Sequence, residues 1–333
     1  MALDEATTTF LTQMSESGMP PIHEMTPEQA RGLGGMLREM YGPGPDMARV
    51  DDEQVPVAGG SVPVCVLVPS ASARGVIVYY HGGGWVIGTI DEFDTMGREL
   101  ARRTGCAVVL VDYRLAPEYR YPTAVDDSWA ALLWADEHRE QIAGSAVPLV
   151  VAGDSAGGNL SAIMTQRAHR RGGPDIALQV LVYPVTDADL DTGSYVDPAN
   201  QLMLSRDSMI WFWDHYVPDV ATRAEPDASP NRAGDLAGLP PAVSSTWTGS
   251  RSASATCARG TSRPSRRPGR PRTPGSSTSP RSGTSRSTRT PTPGTWARTF
   301  PASRGCSCPT SAGSASTGSA ATRSPPGATR GSF

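Results

Sequence analysis

Ser155 stands in Gly153-Asp154-Ser155-Ala156-Gly157, a G-x-S-x-G spacing that follows an apolar run, Pro148–Ala152, and opens a helical pattern ending near Arg171. A serine hydroxyl is a weak nucleophile; it must be exposed sharply, deprotonated as it attacks, and matched by donors for the oxyanion that forms. The spacing meets the first need, because Gly153 and Gly157 leave space in a tight strand-to-helix turn where side chains would collide. A second segment, Tyr80-His81-Gly82-Gly83-Gly84-Trp85, also follows an apolar run. Its three glycines let backbone N–H groups face a cavity unobstructed, and the Ala156 amide at the start of the helix supplies one more donor for an oxyanion. His81 is read as ordering this loop through a hydrogen bond and not as the general base.

The partners of such a serine are harder to find. The histidines are at 23, 81, 138, 169 and 215, and no Asp, Glu or His follows Asp235. His138 lies at the charged end of a helical pattern and reads as surface. His169 ends the helix that begins at the serine, about 20 Å along it at 1.5 Å per residue. His215, in an aromatic helix, is the one histidine that distance does not remove. No acid and base completing a triad are identifiable. Nor is a metal site: the cysteines at 65, 106, 257, 306 and 308 are odd in number, show no ligand rhythm, and fit a reducing cytoplasm without structural disulfides.

The elements that must position these groups follow from periodicity. Helical spacing covers about Leu3–Met14 and Thr26–Met40, the second opened by Thr26-Pro27-Glu28-Gln29 with Thr26 as N-cap. Strands are expected at Arg49–Val57, Val62–Val68, Val76–Tyr80, Ala107–Val111, Pro148–Ala152 and Leu178–Tyr183. The last four are short and continuously apolar, as strands covered on both faces are. Helical patterns at Asp91–Arg103, Thr123–His138 and Ala156–Arg171 alternate with them, which implies crossover units and a mostly parallel sheet. A further helix, Arg206–Tyr216, is aromatic on one side.

Composition divides the chain at Val243. Up to that residue the formal charge is −17; the 90 residues from Ser244 carry 14 Arg and no acid, giving +14 and the overall −3. Of those 90, 83 are Arg, Ser, Thr, Pro, Gly or Ala, with no Leu, Ile, Val or Met, so the segment lacks the apolar surface a core needs and is expected to be disordered. The chain has no Lys, which points to a gene rich in G and C, and in such a gene a shifted frame yields this composition. A frameshift after about Val243 is therefore expected. The rival is a genuine basic tail for RNA, DNA or an acidic surface; sparse aromatic interleaving speaks against a nucleic-acid partner. Met1–Phe10 shows no secretory signal pattern, and no apolar run reaches the roughly 20 residues of a membrane span, so a cytoplasmic location is expected.

His81–Trp85, Asp112-Tyr113-Arg114-Leu115-Ala116-Pro117-Glu118 with Tyr121-Pro122, Asp126-Asp127, Gly153–Leu160 and Tyr183-Pro184 occur in this order. With these motifs the chain resembles the hormone-sensitive-lipase-like family of bacterial α/β-hydrolase carboxylesterases, from roughly the first helices to Pro241. The resemblance implies an α/β fold with an N-terminal helical cap (1–45) over an acyl pocket, a hydrolase core (46–243), and a tail (244–333) outside the family. It implies Ser155 as nucleophile, the amides of Gly83, Gly84 and Ala156 as oxyanion hole, and Asp112–Glu118 as a structural buttress. Small acyl esters would be hydrolysed through an acyl-serine, without cofactor. The family's Asp after the seventh strand and His after the eighth have no counterpart. The sheet is therefore expected to be incomplete, with Leu178–Tyr183 at its edge and activity impaired. The alternative is a non-catalytic protein that uses the hydrolase pocket to bind a ligand.

Overall fold

The computed structural model describes residues 5–16, 18–201 and 204–245. Two N-terminal helices, α1 (Glu5–Glu16) and α2 (Pro27–Tyr41), precede every strand. The helix start at Thr26 is a full capping box: Thr26 Oγ1 accepts from Gln29 N, and Gln29 Oε1 accepts from Thr26 N at 2.8 Å. Two orphan amides of the first turn are thereby satisfied.

The sheet has seven strands in the order β1-β2-β4-β3-β5-β6-β7: β1 (Arg49–Val57), β2 (Gly60–Val68), β3 (Val76–Tyr80), β4 (Ala107–Val111), β5 (Leu149–Asp154), β6 (Ile176–Val182) and β7 (Ala242–Ser245). β1 and β2 pair antiparallel, as do β2 and β4; every pair from β4 to β7 is parallel. The crossover helices are α3 (Ile90–Thr104), α4 (Thr123–Glu137) with the short α5 (Arg139–Ala143), and α6 (Ala156–Arg171). After β6 come the one-turn α7 (Gly193–Val196) and the aromatic α8 (Arg206–Tyr216).

Alternation along the central strands explains why both faces are covered. Ile77, Tyr79, Val108 and Leu110 pack with Ala101, Phe93 and Leu100 of α3 on one face. Val76, Val78, Tyr80, Val109 and Val111 join Leu132, Leu160, Ile163 and Met164 on the other. A strand buried on both faces must be apolar at successive positions, and these are.

One expectation is overturned. Leu178–Tyr183 is not the edge of the sheet, because β7 pairs with it in parallel, Gln179 opposite Ala242 through Val182 opposite Ser245. Tyr183 N donates to Ser245 O at 2.7 Å and Gln179 N to Pro241 O at 3.0 Å. The ladder joins main chain to main chain, so Ser244 and Ser245 can complete it even though their side chains give no apolar signal. Among the described residues β7 is the outer strand, and Leu178, Val180 and Val182 of β6 stay only half-buried. The tail expected to be disordered lies, from residue 246 on, outside the described residues.

Candidate active site

Strand order brings the two glycine-bearing loops together. β3 lies between β4 and β5, with Tyr80 opposite Gly153, so the loop leaving β3 and the turn leaving β5 emerge side by side. The approach is close enough that a Cβ on Gly157 would overlap the Tyr80 carbonyl oxygen, and one on Gly84 would overlap the Phe212 ring of α8. Any residue larger than glycine would force the Gly157 and Tyr80 backbones apart, or at Gly84 displace the Phe212 ring.

Ser155 turns the chain from β5 into α6 with φ 51 and ψ −114. A non-glycine residue with positive φ stores strain, which is tolerated where the surroundings dictate it. Here the Ser155 carbonyl accepts from Asn159 N and Val185 N, its N–H donates to Val182 O, and its side chain stays half-exposed with no capping bond to the helix.

Three amides at this junction, those of Gly83, Gly84 and Ala156, donate to no acceptor among the described residues. The peptide planes that carry two of them are fixed from their carbonyl ends. Gly82 O, in the plane of Gly83 N–H, accepts from His81 Nδ1 at 2.7 Å. Gly83 O, in the plane of Gly84 N–H, accepts from Val86 N at 3.1 Å and Ile87 N at 3.0 Å. The Gly82 amide is spoken for: it donates to Asp154 Oδ1 at 2.9 Å, the oxygen that also accepts from Tyr79 Oη at 2.8 Å. Asp154 thus clips the loop to the turn. Its burial raises the carboxyl pKa, and the bonds from Tyr79 and Gly82 oppose that rise.

His81 is 2% exposed, stacks on Tyr113 with ring centroids 4.3 Å apart, and has its pKa lowered to about 4 by burial. It is held neutral, and its Nδ1 is committed to a carbonyl. Tyr113 Oη donates to His81 O at 2.7 Å. The stretch after β4 is a buttress: Arg114 makes an ion pair with the fully buried Asp127 of α4 at 2.7 Å, and Asp112 accepts from Ile90 N at 3.2 Å. Trp85, at φ 61, is fully buried and stacks on Tyr216 of α8 at 4.4 Å.

Among the described residues none of the five histidines hydrogen-bonds Ser155. His23 Nδ1 lies 3.5 Å from Ser208 Oγ, His138 Nδ1 bonds the Trp134 carbonyl, and the His169 ring packs by Gly238 at the far end of α6. His215 sits edge-on to Trp211 within the electrostatic reach of Asp214, Arg120, Arg31 and Glu118. Among the described residues no group of three or more His, Cys, Asp or Glu is placed to hold a metal ion, and no helix is long and apolar enough to cross a membrane.

Two contributors carried no sequence signal. Phe212 packs on Gly84 across more than a hundred residues of chain, and Arg31 of α2 reaches the carbonyls of Val86 and Ala116. The sequence showed α8 only as aromatic on one side and gave no reason to single out Arg31.

A family described as the alpha/beta hydrolase fold matches residues 77–248. Carboxylesterase NlhH of Mycobacterium tuberculosis is 47% identical over 171 residues, covering 50% of this chain and 53% of that protein. Carboxylic ester hydrolase LipN of the same species is 40% identical over 210 residues, 60% of this chain and 56% of its own length. Among solved structures, the hyperthermophilic esterase of the archaeon Pyrobaculum calidifontis superposes with a TM-score of 0.67 at 35% identity, covering 73% of this chain and 79% of its own. A thermostable esterase from Pseudomonas putida gives 0.68 at 34% identity, with 73% and 78% covered. The chain spans about half the length of the curated relatives it matches. Matched along its motifs and superposed through its sheet, the chain belongs to the α/β-hydrolase esterase family.

Proposed function

We propose that this chain carries the nucleophile and oxyanion half of a serine carboxylesterase. Ser155 would attack the carbonyl carbon of a small acyl ester, and the amides of Gly83, Gly84 and Ala156 would receive the oxyanion. Collapse of that tetrahedral adduct would break the bond to the alkoxy group, which leaves as the alcohol with the proton given up by Ser155, and the remaining acyl-serine would be hydrolysed by water to the carboxylic acid, with no cofactor. The observation that carries this reading is the pairing of a half-exposed serine at φ 51 with three amides, on the adjoining loop and helix start, that have no acceptor among the described residues. The esterases named above support the substrate class, and a cytoplasmic site of action is proposed with it.

In the same reading the triad acid and base are missing because the gene is translated out of frame after about Val243. Turnover is then impaired: losing the base of a comparable triad costs on the order of 10⁶-fold in kcat, leaving about 10³ to 10⁴ over water from the oxyanion hole and binding. The test is to sequence the gene across the codons for Ala242–Thr248, express both the chain as it stands and its frame-restored form, and assay p-nitrophenyl acetate and butyrate. The expected result is hydrolysis by the restored form only, abolished by Ser155→Ala. Hydrolysis that survives Ser155→Ala would overturn the assignment.

A second reading, a non-catalytic protein binding apolar ligands in this pocket, draws on the hydrogen bonds and ring contacts of the histidines, none of which is to Ser155 among the described residues. It requires an ester or fatty acid to raise the melting temperature of the chain as it stands.

A further inference from the structure

We infer that Arg31 is a positioning residue that couples the N-terminal helices to the oxyanion loop. This inference rests on reading the Gly83 and Gly84 amides as oxyanion donors. Four of the five guanidinium N–H groups are used on two loops. Nε donates to Val86 O at 2.9 Å, Nη2 to Ala116 O at 2.8 Å, and Nη1 and Nη2 form a two-pronged pair with Glu118 at 2.9 and 2.6 Å.

The two main-chain acceptors belong to segments already joined, since Ala116 N donates to Trp85 O at 2.9 Å. Arg31 therefore closes a ring that runs from α2 to Val86, back one residue to Trp85, across to Ala116, and home. Val86 is also the residue whose amide, with that of Ile87, holds Gly83 O. Because Gly83 O and Gly84 N–H share one planar peptide, whatever fixes Val86 fixes the direction of the Gly84 N–H. The route is made of five named bonds, two from the Arg31 guanidinium and three between main-chain groups. α2 lies against α3: the Glu92 carboxylate of α3 comes within reach of a Cβ built on Gly34. A lysine could not replace Arg31, because a point ammonium cannot reach both carbonyls and the carboxylate in one plane.

The test is amide hydrogen exchange on the full chain, comparing wild type with Arg31→Met, Glu118→Gln and Arg38→Met. Arg38, on the same helix as Arg31, pairs with Asp91 of α3 without a bond to Val86 or Ala116, and serves as the control. Removing bonds to a charged group should speed exchange of the Val86, Ile87 and Ala116 amides by about tenfold in Arg31→Met. β3, β4 and β5 should be unchanged, and the Gly84 amide resonance should shift. Glu118→Gln, which keeps both carbonyl bonds, should do less, and Arg38→Met nothing. Unchanged loop exchange, acceleration equal in the loop and the strands, or a Glu118→Gln effect as large as that of Arg31→Met would each overturn the proposal. Exchange needs no turnover, so its outcome is separate from that of the ester assay. If the frame-restored protein is an esterase, Arg31→Met should lower its kcat and leave KM in place.

Discussion

At the scale of single residues, His81 couples loop order to pH. Its folded pKa of about 4 lies below the ordinary 6.5, so the neutral ring's contribution to stability is complete above pH 6.5 and is lost as pH falls toward 4. The loss amounts to roughly 3 kcal/mol at one proton per molecule. Urea unfolding at pH 7 and pH 4.5 should show a steeper fall for the wild type than for His81→Gln, which cannot titrate; parallel pH profiles would place the ring's proton elsewhere. Gly157 is governed by contact distance instead of charge. Gly157→Ala should cost about 3 kcal/mol in chemical denaturation, because the added methyl meets the Tyr80 carbonyl and neither backbone can retreat without breaking the β3–β5 ladder.

At the scale of elements, the loops that carry the site are held by ion pairs of unequal burial. Asp127 in α4 is fully buried and accepts from the Arg114 main-chain N–H, Nε and Nη2. Asp127→Ala leaves the guanidinium's charge and an amide without their partner and should destabilise on the order of 3 kcal/mol, read from the urea midpoint. Glu118 is more exposed. The Arg31 hydrogen bonds hold its carboxyl down at about 2, so its pairing contributes above its ordinary pKa and fades only as pH falls through about 2. Exchange of the Val86 and Ile87 amides in a His81→Gln background, corrected for intrinsic rates, should accordingly be the same at pH 7 and pH 5. The aromatic α8 closes the other side of the same loop through Phe212 on Gly84 and Tyr216 on Trp85.

At the scale of the whole molecule, the sheet thins toward β7. Leu178, Val180 and Val182 are half-buried where the strands at the centre are fully covered. Apolar surface of this kind is a site for dye binding and association. Restoring the reading frame after Val243 should lower binding of the dye ANS and raise Tm along with ester hydrolysis; equal dye binding by both forms would show that the restored segment does not cover β6.

Local features were decided by the sequence itself. The bounds of β1, β3, β4, α6 and α8 fall where periodicity and the glycine punctuation put them, and the Thr26 capping box forms as written. Apolar period and end signals act within a few residues, so they survive without knowledge of the fold. What only the tertiary structure decided is adjacency. The strand order sets the His81–Trp85 loop beside Ser155, turns His215 toward Trp211 and the Arg31–Glu118 pair, and lets one arginine of α2 grip two distant loops. It also pairs Ala242–Ser245 with β6, which no side-chain pattern announced. A main-chain ladder asks only for geometry, and the reach of a guanidinium depends on which strand lies next to which, neither of which is written in any local stretch of residues.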